Sequence, residues 1–142
     1  MAKVLIVYVT TTGNTEKMAN AIADGAKGAG ADVTLKTVGN ASVSELADYD
    51  VIAFGSPAMG AEVIEEAEME PFFSEAAKSL SGKKVAVFGS YDWGDGEWLR
   101  TWEGRCKEAG AVIAAEGLKA HLEPDDDAIA ECKAFGSKLA QN

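Results

Sequence analysis

Residues 3–9 read KVLIVYV, a nearly unbroken β-branched and aromatic run. A strand with one wet face alternates apolar and polar side chains. This run does not alternate, so it belongs in a parallel sheet covered on both faces by helices. Residues 33–38, 51–55 (VIAFG) and 84–89 (KVAVFG) share its character, and a weaker fifth run, 111–118, is diluted by alanine and by Glu116. Between them, residues 14–27 place Met18, Ala19, Ile22, Ala23 and Ala26 close to a 3.6-residue period, which predicts an amphipathic helix. Residues 66–80 and 97–109 read alike. Residues 125–139 open on an acidic turn suited to a helix N-terminus, and 43–49 predict a short helix or turn. Strands alternating with helices pair in parallel through right-handed crossovers. The expectation is an α/β three-layer sandwich around a five-stranded parallel sheet of order 2-1-3-4-5. Residues 1–142 read as one domain, with no repeat, linker or low-complexity tract.

Composition narrows the function classes. Apolar residues make up 47% of the chain, enough to bury a core without cross-links. Thirteen basic against 23 acidic side chains give a net charge of −10. That excess repels nucleic acid and anionic membrane surfaces, and its natural complement is a basic protein partner. Cys106 and Cys132 form neither a CxxC pair nor a zinc-ligand spacing and read as reduced structural thiols. With no signal-peptide pattern and no apolar run near 18 residues, a cytoplasmic, monomeric protein is expected.

In open parallel sheets, ligands bind beyond the carboxyl ends of the strands, where strand order reverses. Here that means residues 10–15, 56–63 and 90–96. Thr10, Thr11, Thr12, Gly13, Asn14 and Thr15 bring four hydroxyls, a side-chain amide and free backbone N–H groups to a helix N-terminus. That donor set favours an anion. The loop lacks the Gly-Lys-Ser/Thr ending of a nucleoside-triphosphate loop, lacks GxGxxG, and carries no lysine or arginine. Neutral donors and a helix dipole suit an enclosed phosphate monoester better than a polyphosphate. A ligand-free Thr/Asn-rich helix cap is the competing reading. Residues 6–22, IVYVTTTGNTEKMANAI, resemble the phosphate-loop signature of the flavodoxins.

The second loop, Ser56, Pro57, Ala58, Met59, Gly60, Ala61, Glu62 and Val63, resembles the Met-Gly-x-Glu turn of short-chain, clostridial-type flavodoxins. The resemblance implies a non-covalently bound FMN. Met59 would pack its thioether on one flavin face, Glu62 would accept from flavin N3–H, and Gly60 would offer its carbonyl to a protonated N5. A peptide that flips in this way needs a glycine, because the two turn types differ in where φ is positive. The third loop, Ser90, Tyr91, Asp92, Trp93, Gly94, Asp95 and Gly96, resembles Ser-Tyr-x-Trp-Gly-x-Gly of the same group. Trp93 would stack on the other flavin face, with Tyr91 as its competitor, and the N–H groups of Asp92 and Gly94 would reach the flavin carbonyl and N1. Trp98 and Trp102, four residues apart on one helix, read as packing residues.

Residues 37–77 hold nine acidic residues, among them Glu62, Glu65, Glu66, Glu68 and Glu70, and no lysine or arginine. In that field an anionic hydroquinone is disfavoured, while the Gly60 carbonyl favours the neutral semiquinone. The implied function is a low-potential one-electron carrier shuttling between semiquinone and hydroquinone, with no catalytic residue. Its partners would be low-potential oxidoreductases whose basic patches dock on the acidic rim. An FMN-dependent NAD(P)H quinone reductase of related fold is the alternative. A phosphorylation receiver is excluded, because Thr10–Thr12 and Gly55-Ser56 stand where its aspartates would be.

Two residues depart from the subfamily pattern. If the flipped turn needs positive φ at Ala61, alanine costs about 1 kcal/mol, roughly 40 mV for one electron. Asp92 stands where glycine is usual, and an ionised carboxylate about 8 Å from N1 would disfavour the reduced flavin by up to about 2 kcal/mol. His121 has no second ligand nearby and reads as a surface histidine, and the acidic run 123–127 lacks calcium-loop spacing, so no metal is expected.

Overall fold

The computed structural model describes residues 2–60 and 62–142. Its parallel sheet runs β2 (Asp32–Thr37), β1 (Lys3–Tyr8), β3 (Val51–Gly55), β4 (Lys84–Tyr91), β5 (Val112–Ile113), the expected 2-1-3-4-5 order. Because side chains alternate along a strand, the apolar run of β1 feeds two cores. Val4, Ile6 and Tyr8 pack with α1 (Asn14–Gly28) and α4 (Asp126–Ala140). Leu5 and Val7 pack with α2 (Met69–Ala76) and α3 (Glu97–Glu108) on the other face. There Phe54, Phe73 and Trp102 interlock, with Phe73 edge-on to both rings at centroid distances of 5.3 and 5.8 Å. On the first face, α1 and α4 meet almost backbone to backbone. A Cβ on Gly136 would stand 2.9 Å from the Ala26 nitrogen and closer still to the Ile22 carbonyl.

The fifth run departs from the sequence reading. Val112–Ile113 pairs with Lys84 and Val85, the chain leaves the sheet, and β6 (Leu118–His121) returns to pair with Phe88–Tyr91. Ala114, Ala115, Glu116 and Gly117 supply no branched side chains to hold an edge strand. The Gly117 N–H instead donates to Glu103 Oε2 at 2.9 Å. The consequence is that β6 carries the sheet edge upward beside the third loop.

The helix expected over 66–80 starts late, at Met69, and tightens into a 3₁₀ turn over Ala77–Ser79. Glu65 is the cause. Its carboxylate accepts from the N–H groups of Ala67, Glu68 and Met69 at 2.7–2.9 Å, holding the preceding turn outside the helix. Residues Val43–Asp48 form a 3₁₀ helix closed by a Ser42–Glu45 capping box.

Candidate functional site

The three loops singled out in the sequence come together at the carboxyl ends of β1, β3 and β4, where strand order reverses. The first crosses from β1 into α1 through Gly13, whose φ of 94° places it in the left-handed region. No side chain caps the first turn of α1. Thr10 Oγ1 instead accepts from the Gly13 N–H at 3.0 Å, shaping the loop from within. Thr11 and Thr12 are exposed, Gly13 and Asn14 half-buried. Thr15 is buried and shares a 2.8 Å hydrogen bond with the Ser90 hydroxyl, tying the first loop to the third.

The second loop is a tight turn closed by a reciprocal backbone pair. Met59 N–H donates to the Val63 carbonyl at 2.8 Å, and Val63 N–H to the Met59 carbonyl at 3.2 Å. Gly60 has φ 36° and Glu62 φ 56°. The left-handed strain expected at Ala61 concerns a residue outside the described ones; among those described, the non-glycine residue of this turn held left-handed is Glu62. Ser56 faces inward, donating to the Pro57 carbonyl and accepting from Glu65 N–H, both at 2.9 Å. Its carbonyl accepts from Trp98 Nε1 at 3.2 Å. Ser56 therefore braces the loop, and its hydroxyl is not aimed outward. Ala58 N–H donates to the Ser90 carbonyl at 2.9 Å, joining the second loop to the third.

In the third loop, Trp93 is 61% exposed. Tyr91, its competitor, is engaged elsewhere, with Trp98 and His121 rings at centroid distances of 5.7 and 5.0 Å. Ala58, Met59, Gly60, Glu62, Asp92 and Trp93 line one cleft between the second and third loops. Gly94, at φ 89°, lies directly against the Glu62 carboxylate, and a Cβ there would collide with it. His121, set aside in the sequence as a surface residue, is exposed but donates from Nε2 to the Asp92 carbonyl at 2.8 Å. Only the pairing of His121 with Tyr91 in the β6–β4 ladder brings it there, and no local pattern announces it.

The acidic rim is less uniform than its sequence. Glu45 pairs with Lys36 at 2.7 Å, and Arg105 reaches across from α3 to grip Glu70 through two hydrogen bonds of 2.8 and 2.7 Å. The guanidinium holds the Glu70 carboxyl below its ordinary value. Burial pushes Glu65 upward, but its backbone donors from Met69, Glu68 and Ala67 outweigh that and leave it lowered. Glu66, Glu68 and Asp92 remain exposed. Burial pushes the Cys106 and Cys132 thiols up to about 12, which keeps them out of thiolate chemistry at neutral pH. Among the described residues no group of His, Cys, Asp or Glu is arranged to hold a metal ion, and no helix is long and apolar enough to cross a membrane.

An uncapped helix N-terminus at the switch point of a doubly wound sheet, beside a cleft offering a thioether, a carboxylate and an exposed indole, defines a mononucleotide-binding α/β protein. The flavodoxin family profile matches residues 6–136. Flavodoxin of Clostridium beijerinckii is 47% identical over 135 residues, covering 95% of this chain and 97% of that one. Flavodoxin of Megasphaera elsdenii is 44% identical over 136 residues, covering 96% and 97%. The solution structure of two-electron reduced Megasphaera elsdenii flavodoxin superposes with a TM-score of 0.90 at 45% identity, covering 98% of this chain and 99% of that one. The chain belongs to the flavodoxin family, a family of electron-transfer proteins whose cofactor is FMN. The residues present fit that group. Neutral donors gather where its phosphate would lie, and apolar side chains and an acceptor gather where its ring would lie.

Proposed function

We propose that this chain is a low-potential one-electron carrier, not an enzyme, and that it holds FMN across the three loops. The observation that carries this reading is the meeting of Met59, Glu62 and Trp93 on one cleft beside the uncapped start of α1. FMN, when bound, supplies the one-electron chemistry; the residues hold, orient and bias it. The N–H groups of the first turn of α1, the hydroxyls of Thr10, Thr11 and Thr12 and the Asn14 amide would receive the phosphate. Thr15, Ser90 and Ser56 would act one step back, through the bonds that join the loops. Met59 and Trp93 would cover the two ring faces, and the occupation of Tyr91 by Trp98 and His121 supports Trp93 in that role. Glu62 would accept from the ring N–H, Gly60 would turn its carbonyl toward the ring, and the N–H groups of Asp92 and Gly94 would meet the pyrimidine edge, with Pro57, Ala58 and Ala61 completing the turn.

The exposed carboxylates Glu66, Glu68 and Asp92 would lower the second one-electron potential and separate it from the first. They would also steer basic patches of low-potential oxidoreductases toward the cleft, raising association rates in a salt-sensitive way. A monomer in the cytoplasm suits these features, as do two buried free thiols.

An anaerobic redox titration of the FMN-loaded protein tests the reading. Two resolved one-electron steps are expected. A single two-electron step, or rapid NAD(P)H oxidation without an added reductase, would instead establish the quinone-reductase alternative. Replacing Asp92 with Gly is expected to raise the second potential by on the order of tens of millivolts, since water screens an exposed carboxylate.

A further inference from the structure

Sulfur is the element of a protein most open to two-electron oxidation, and here burial sorts the sulfur-bearing side chains sharply. Cys132 and Met18 are fully buried in the core on one face of the sheet, Cys106 and Met69 in the core on the other. Burial also keeps both cysteines as thiols, which react slowly with oxidants. Met59 is only half-buried. Among the described residues it is the one sulfur-bearing side chain outside the two cores, and it lines the cleft between the second and third loops.

The cleft makes that position consequential. Its free volume is about 10 Å³, the lower limit for one water molecule, so an oxygen added to the Met59 sulfur would use all of it. A sulfoxide oxygen accepts hydrogen bonds and donates none. The charged side chains of the lining, Glu62 and Asp92, are carboxylates that likewise only accept. The Met59 backbone is fixed by its reciprocal bonds to Val63, at 2.8 and 3.2 Å. An oxidised Met59 must therefore carry its oxygen out of the cleft or force the turn to give way.

We propose that Met59 is a site of reversible oxidation by hydrogen peroxide, and that its sulfoxide weakens FMN loading. The loading effect rests on the FMN reading above; the selectivity of the oxidation does not. A sulfur lone pair takes one oxygen from the peroxide: the sulfur–oxygen bond forms as the oxygen–oxygen bond breaks, sulfur gives up two electrons, and the other oxygen leaves as water. A thiol-dependent sulfoxide reductase reverses the step, two thiols becoming a disulfide while the oxygen leaves as water. Because Met59 would cover one face of the ring, bound FMN shields the sulfur, and the modification acts on unloaded chains. In an oxidised chain the S=O dipole would be buried unpaired against the ring in place of a thioether. The FMN dissociation constant is expected to rise about 10- to 100-fold, the cost of one buried polar group without a partner.

Two measurements decide the matter. Dilute peroxide on the apoprotein, followed by tandem mass spectrometry, is expected to add one oxygen to Met59 well before Met18 or Met69; Met1, outside the described residues, is read separately. Prior loading with FMN is expected to slow the reaction at Met59. Oxidation of Met59 no faster than that of the buried methionines, or equally fast with FMN bound, would overturn the proposal. In the second, FMN titration of the oxidised apoprotein is expected to show the weaker binding, and a sulfoxide reductase to restore it. Whatever its own affinity, Met59→Leu is expected to bind FMN equally well before and after peroxide. A peroxide-induced loss that persists in Met59→Leu, or none in the natural chain once Met59 is oxidised, would overturn the proposal as well. An unoxidised chain that binds no FMN would defeat the carrier reading, and the oxidation map would still judge whether Met59 is the sensitive sulfur.

Discussion

The two ends of the site are built on opposite plans. At residues 10–15 the chain uses neutral donors, an uncapped helix start and a buried Thr15–Ser90 bond, and the left-handed residue, Gly13, has open space around it. At the Met59–Val63 turn Gly60 and Glu62 both have positive φ, and Glu62 is a carboxylate wedged against Gly94 and partly cut off from solvent. In the proposed reading the first end would bind through backbone N–H groups, with open space around its left-handed glycine. The second depends on the placement of a single charged side chain. An anion can be held by dipoles that are already in place, whereas biasing a ring's electron affinity needs a charge and a carbonyl at defined points.

Paired substitutions at Gly13 and Gly94 break this contrast most sharply. Gly94→Ala adds a Cβ that displaces the Glu62 carboxylate, on top of about 1–2 kcal/mol for a left-handed alanine. A loss of FMN affinity of about 100-fold, roughly 3 kcal/mol, is expected. Gly13→Ala incurs only the backbone cost, about 1–2 kcal/mol, because nothing lies within 4 Å of the added carbon. Equal losses from the two, measured by fluorescence titration of FMN, would refute the idea that only the second end depends on side-chain placement.

Thr15→Val comes next in size. It leaves the buried Ser90 hydroxyl without its partner, at a cost of about 1–2 kcal/mol. Thermal unfolding of the apoprotein should show a Tm lower by about 4–6 °C for a chain of this length. An unchanged Tm would mean that the two loops are not coupled through this bond.

Acid should weaken the ring end before the phosphate end. Glu65 braces the base of the second loop and Glu70 pairs with Arg105; both carboxyls sit below their ordinary value of 4.5. A carboxyl lowered on folding contributes stability that is complete above its unfolded pKa and is lost as pH falls through the folded one. Stability should therefore hold down to about pH 4.5 and decline below it, and Glu65→Gln should flatten that decline in a pH series of denaturant unfolding. His121→Ala, which removes one exposed hydrogen bond to the Asp92 carbonyl, should cost no more than about 0.5 kcal/mol. Its effect should be confined to the amide signals of residues 91–94.

Much of this was legible in the chain. The apolar runs of β1, β3 and β4 have no stable place except a two-sided sheet, and helix-period segments between them leave few alternatives. The break at 114–117 was only half legible. Alanine and Glu116 marked a weak strand, but the return at Leu118–His121 depends on pairing with β4. Glu65 and Glu70 read as members of an acidic rim, because a count along residues 37–77 cannot see Arg105 arriving from α3 or three amides closing around one carboxylate.

By itself, then, the sequence determined the layers, the strand order and the three loops that meet, because burial periodicity and turn chemistry are local properties of a chain. Tertiary structure decided which of those loop residues face the cleft and which brace it. Ser56 and Thr15 turned inward, Tyr91 was occupied, Glu62 took the left-handed backbone, and His121 and Arg105 arrived from distant segments. Each of those outcomes depends on a partner at least eight residues away in sequence or on the closing geometry of a turn. Hydrogen bonds and ion pairs of that kind exist only once the sheet has brought their two halves together.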